Sequence, residues 1–140
     1  MVEFALALPI LILILSGIID IGRAYFAYIY INEAAQEGAL YAALYPICVD
    51  EDVNLSPLCD NPNNATWRAR NSGSTQGIIG SNNISVTTNT TTPLLGDMVV
   101  VTVTVPFKFI TPGISAIAVT VTGSDTLTLT ATAGHVVIIE

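Results

Sequence analysis

From Phe4 to Ile19 the chain runs through 16 residues without a charge, bracketed by Glu3 and Asp20. Helix formers then continue to Leu44, and Pro46 supplies a stop. The pattern predicts one helix over residues 1–46, roughly 60 Å long at 1.5 Å per residue. Such a helix is too long to be a core element of a 140-residue globule. Its uncharged run is slightly short of the ~20 residues that span a bilayer. Three residues interrupt it. Pro9 removes a backbone hydrogen bond and is expected to kink or locally open the helix. Gly17 and Gly22 each lower helix stability by up to ~1 kcal/mol relative to Ala.

The second half of the helix has a different texture. Small residues gather at Ala34, Ala35, Gly38, Ala39, Ala42 and Ala43, at spacings that place them on adjoining faces. Small side chains let helices approach closely. One use of this face is to cover the chain's own β domain. The other is to pack on neighbouring helices, with Ala35, Gly38, Ala39 and Ala42 as assembly residues. The reading takes both, one face for each. Glu33, Gln36 and Glu37 form a polar side, and Tyr25, Tyr28, Tyr30 and Tyr41 are amphipathic rings suited to half-buried positions.

Residues 47–82 read as loop, with Pro57, Pro62, Gly73, Gly77 and Gly80 among many Asn and Ser. Trp67 and a disulfide are expected to pin it. The period then switches to two. Val99, Val101, Val103 and Val105 fall on one face of a strand, with Val100, Thr102 and Thr104 on the other. Leu127, Leu129, Ala131 and Ala133 alternate with threonines in the same way. The stretch ISVTTNTTT is a third, weaker strand, and TPGISAIA is a turn with a short helical piece. The fold class is therefore α+β: a long apolar N-terminal α-helix packed on a small antiparallel β-sheet head over residues 83–140.

Composition narrows the functions. Only 11% of residues are charged, against roughly 25% in ordinary soluble domains. The net charge is −7, with Arg23, Arg68, Arg70 and Lys108 the four basic residues, so no basic stripe suits nucleic acid. Cys48 and Cys59 enclose ten residues, a loop that closes with ordinary disulfide geometry. A bridge is expected if the chain is exported, and two free thiols if it stays in a reducing compartment. Two cysteines without a nearby histidine make no zinc set. Asp50, Asp52 and Asn54 alternate as calcium ligands do, but Leu55 stands where such a loop needs Gly. His135, the one histidine, has no nucleophile motif and reads as structural. No cofactor, metal or catalytic set is expected, and an enzyme has no support. Asn54, Asn64, Asn83 and Asn89 each start an N-x-[ST] pattern, frequent by chance in so Asn- and Thr-rich a chain.

The run VEFALALPILILILSGIIDIGRAYFAYIYINEAAQEGALYAA resembles the TadE-like minor pilins of the tight-adherence (Tad, or Flp) branch of type IV pili. VEFALALP, the junction from Gly17 to Arg23, and the run from Glu33 to Ala39 carry the likeness. The later VTVTVPFKFITPG and TLTLTATA are similar to that family's sheet region. The resemblance implies a bacterial protein held in the inner membrane, trimmed by a prepilin peptidase and assembled by an ATPase-driven pilus machinery. No basic residue precedes Arg23, so either a basic leader lay upstream of Met1 and was removed or Met1 is the initiator; the former is the reading taken. Type IV pilins generally carry a glutamate at the fifth mature position, and here Glu3 is third. By that likeness Glu3 pairs with the terminal ammonium of a neighbouring subunit and sets helix register; otherwise it is an interfacial carboxylate favoured by the helix dipole. Asp20 and Arg23, three apart, pair on one helix face, either inside a filament or at the end of a membrane span.

The leading function is thus a structural subunit of an extracellular filament, a helical homo-oligomer built through the apolar helix. Glu3, Pro9, Asp20 and Arg23 join the small residues as assembly positions. The alternatives are a minor pilin that primes or caps another filament, and a membrane-anchored adhesive module.

Overall fold

The structure, a computed structural model, describes residues 2–50, 59–72 and 84–138. Helix α1 (Val2–Leu44) is 43 residues long, about 65 Å by the standard rise. It runs through Pro9 without a break. That proline lies near the start of the helix, so a single missing amide removes little of a ladder this long. After α1 come helix α2 (Ala65–Asn71), strand β1 (Ser85–Thr88), strand β2 (Met98–Lys108), helix α3 (Pro112–Thr122) and strand β3 (Thr126–Val136). The three strands form one antiparallel sheet in the order β1-β2-β3.

The two halves of α1 live in different surroundings. From Phe4 to Leu15 every side chain described is exposed, with Phe4 at 74%. From Ala27 onward a stripe is sealed: Ala27, Ile31, Ala34, Ala35, Gly38, Ala39, Ala42 and Ala43 are buried. Their steps of three, four and seven are those of one helix face. Glu33, Gln36 and Glu37 stay exposed on the other side, as the polar reading of that face requires.

This stripe packs on the sheet through Val99, Val101, Val103 and Val105, all buried. The period-two reading of β2 therefore holds residue by residue. On β3 the same face is met by Ala133 opposite Val101 and Ala131 opposite Val103, whereas Leu127 at the strand's start is exposed. Small residues on both α1 and β3 bring helix and sheet close. Among the described residues Pro106 has one strand neighbour, Thr128, because β1 begins opposite Thr104. Asn89 fastens the other end of β2: its side-chain amide donates to the Met98 carbonyl at 3.0 Å and its oxygen accepts from Val100 N–H at 2.8 Å.

Residues 47–82 are not all loop. Asn64 stands at the N-cap of α2, where its side-chain oxygen accepts from the Trp67 amide at 2.6 Å. Helix α2 places Ala65 and Ala69 in the core beneath α1. Pro and Asn in this segment hid a short helix whose start they in fact mark. The Cys48–Cys59 disulfide is present, and the Cys48 carbonyl accepts from Ala65 N–H at 3.0 Å, so the bridge and α2 close the C-terminal end of α1 together. Asp52, Asn54 and Asn83 lie outside the described residues.

Gly38 corrects an expectation. A Cβ at this position would lie 2.8 Å from Ala69 Cβ, 3.3 Å from the Ala65 carbonyl oxygen and 3.3 Å from Val101 Cγ1. The close approach it permits is to α2 and β2 of its own chain. Ala35, Ala39 and Ala42 share the same core and are fully covered. Within the chain they are packing residues of the head's core. Gly38→Leu is accordingly expected to damage folding itself, by about 1–3 kcal/mol as overpacked cores do. Thermal denaturation of the detergent-solubilised monomer by circular dichroism would show it; an unchanged midpoint would refute this placement.

Candidate membrane and assembly face

Two features of α1 remain after its core-facing stripe is accounted for: an apolar half with no cover, and a buried charge at the junction. Among the described residues α1 is the one helix long and apolar enough to cross a bilayer, and only 6% of its most apolar window is buried within the chain. A core helix of a soluble protein would be mostly buried. This half is apolar all round, which water does not tolerate on so large a surface. Ser16, its one hydroxyl, donates to the Ile12 carbonyl at 2.8 Å and so needs no outside partner. Glu3 is exposed in the first turn, and Pro9 is exposed.

Asp20 is 1% exposed. Its Oδ2 accepts from Thr111 N–H at 2.9 Å, and its Oδ1 accepts from Ile110 N–H at 3.3 Å and from Arg23 Nη1 at 3.2 Å. Arg23 in turn lies over the Phe107 ring, 5.3 Å from its centroid. The pairing of Asp20 with Arg23 was legible from their spacing; the attachment to residues 90 positions away was not. Thr111 precedes α3 as its N-cap and has no side-chain cap of its own. A carboxylate there satisfies an otherwise open amide and meets the positive end of the helix dipole. Asp20 therefore ties α1 to the base of the head.

This arrangement also bears on the length of the apolar run. The bare sequence stops it at Ile19, short of a span. With Asp20 enclosed and paired, exposed apolar residues continue past it on α1 at Ile21, Tyr25 and Phe26, with the partly exposed Arg23 side chain among them. The charge that interrupts the run in sequence does not interrupt it on the surface.

The remaining sequence candidates are dispersed. His135 is exposed on β3, and Asn64 is 1% exposed as a helix cap, a poor place for a glycan. Asn89 is exposed, but its side chain is committed to β2. Lys108 and Asp125 pair at 2.9 Å where β2 ends and β3 begins. Their hydrogen bond, then their mutual attraction, raises the lysine pKa and lowers that of the aspartate. Among the described residues no three His, Cys, Asp or Glu gather as a metal set. A shallow groove of about 210 Å³ beside Asp20 is lined by Ser16, Ile19, Ile110 and Thr111 and holds no acid–base pair.

The fold is a long apolar helix, long enough to cross a bilayer, carrying a small three-stranded β head. The family described as TadE-like protein matches residues 1–40, which bears out the resemblance drawn from the apolar helix. It is a family of pilus components, not one known for enzymes. The match covers α1 nearly to its end and leaves the head outside it. No curated protein and no solved structure matches the chain.

Asp20→Ala is expected to leave the buried Thr111 amide, the Ile110 amide and Arg23 without their acceptor, a loss of about 2–3 kcal/mol for bonds to a charged group. Amide exchange at Thr111 should accelerate in the detergent-bound chain while exchange in β2 stays slow. Unchanged protection at Thr111 would mean that the carboxylate is not its partner.

Proposed function

We propose that this chain is a pilin-like subunit of a Tad-type pilus: α1 first holds it in the inner membrane and then packs against copies of itself in an extracellular filament. The observation that carries the reading is the first half of α1, apolar on all sides and uncovered by its own head. Such a surface requires lipid or other helices. The family match over residues 1–40 supports the pilus setting. In this division residues 1–46 are anchor and filament core, 47–82 a disulfide-closed connection, and 83–140 the exposed head, with the C-terminal half of α1 built into the head's core. Assembly then falls to the exposed half, to Glu3 and Pro9 and to the Asp20–Arg23 junction. The pilus machinery and a prepilin peptidase are the partners this reading calls for. A minor subunit that primes or caps a filament of another chain is the second reading, because the likeness is to minor pilins.

Removing residues 1–19 tests the first reading. The remainder keeps Asp20, Arg23 and the sealed stripe, and is expected to sediment as a soluble monomer, because most of the uncovered apolar surface has been removed. If it still polymerises, assembly does not depend on the apolar half. Electron microscopy of the purified full chain separates major from minor subunit: filaments of this chain alone support the first, and their absence the second.

Glu3→Gln keeps the side-chain shape and removes the charge. Burying a carboxylate costs several kcal/mol unless a cation compensates it. The variant is therefore expected to fractionate with membranes as before, while sheared extracellular filament falls several-fold. A normal filament yield would leave Glu3 only its place near the helix dipole.

A further inference from the structure

Helix α3 joins the base of β2 to the base of β3. Its neighbours fix its height along α1. Val101 lies beside Gly38, Phe107 beside Arg23, Thr111 beside Asp20, and Ile114 at Gly17, where its Cδ1 would be 3.3 Å from a Cβ. The strand thus runs down α1 toward its apolar end, and the first turn of α3 touches α1 inside the uncharged run of residues 4–19. The sequence around α3 matches that level. From Phe109 to Ser124 there are 16 residues without a charge, bracketed by the paired Lys108 and Asp125. Ile110 is 69% exposed, Val119 47% and Val121 77%. The Thr120 hydroxyl donates to the Ala116 carbonyl at 2.9 Å, as Ser16 does to Ile12, so its polarity is spent within the helix.

We propose that α3 is a second membrane-contacting element, lying in the headgroup–acyl boundary of the lipid bilayer beside the point where α1 emerges, with Ile110 and Val119, which line one groove, turned into lipid. This rests on the reading of α1 as a bilayer anchor. At 11 residues, α3 measures about 16 Å and is too short to span; an apolar helix of that length held at the bilayer surface lies in the interface. The Asp20 tie fixes its depth, because the carboxylate holds the start of α3 against α1. The chain would then sit on the membrane by two contacts, one crossing and one lying flat, and the head would keep one orientation relative to the surface. Leaving the bilayer for a filament would require α3 as well as α1 to exchange lipid for another partner.

The test uses the full chain in phosphatidylcholine vesicles whose acyl chains are brominated close to the carbonyl end. Val119→Trp and, independently, Ile110→Trp add a fluorophore at exposed positions, so neither has to fit a core. Native Trp67, in α2 on the head, supplies the background, and Leu13→Trp in α1 reports the anchor. Roughly half of the emission added at Val119 or Ile110 is expected to be lost to the brominated lipid, because bromine near the carbonyl end lies at the headgroup–acyl boundary, while wild-type emission is unchanged. Quenching of Leu13→Trp with none at either α3 position would overturn the inference and leave the anchor standing. Absence of quenching at all three positions would overturn both. Emission from α3 that shifts to the blue only as the protein-to-lipid ratio rises, without quenching by bromine, would assign the face to a second copy and likewise overturn it.

Discussion

The constraint on which the molecule depends is that one continuous helix must satisfy two solvents. Its C-terminal half is stabilised by a sheet that its own chain supplies, and its N-terminal half by something the chain does not supply. A break between them would let the apolar half fold back onto the head. Continuity from Val2 to Leu44 prevents that and keeps the two halves coaxial. The head is small because it has one task in packing, to cover a single stripe of mostly alanine with a row of valines.

The transition between the two environments falls at Asp20, and its chemistry explains how a charge survives there. A carboxylate removed from water is costly unless each oxygen is engaged. Here both oxygens accept amide protons from the loop before α3, and Arg23 neutralises the charge locally. The aspartate is thus a structural clamp as well as a member of an ion pair. It fastens the base of the β2–β3 connection to the helix at the level where the exposed apolar surface begins.

Close contact is the second recurring theme. Gly38 fits against Ala69 and Val101, and Gly17 lies beside Ile114. Alanines carry most of the stripe in α1, and Ala131 and Ala133 answer them on β3. Small residues at a helix–sheet contact bury little apolar area each, so the head relies on short distances, on the Cys48–Cys59 bridge and on the capped helix α2 to close its far end.

Pattern alone determined the long helix, its end before Pro46, the valine face of β2 and the pairing of Asp20 with Arg23, because periodicity and local spacing report contacts made within one element. The helices α2 and α3 are also marked locally, by Asn64 at an N-cap and by Pro112 at the start with Gly123 at the end; the sequence reading gives α3 as a short helical piece after a turn and loses α2 inside a longer loop. Tertiary structure alone decided what the small residues of α1 touch. A stripe of Ala and Gly permits close approach to any partner, and only the fold of β2 and α2 against Gly38 selected the chain's own head. The same holds for Asp20: the sequence places a carboxylate one helical turn from an arginine, while the two amides it also binds lie some 90 residues away, a separation that no local pattern encodes.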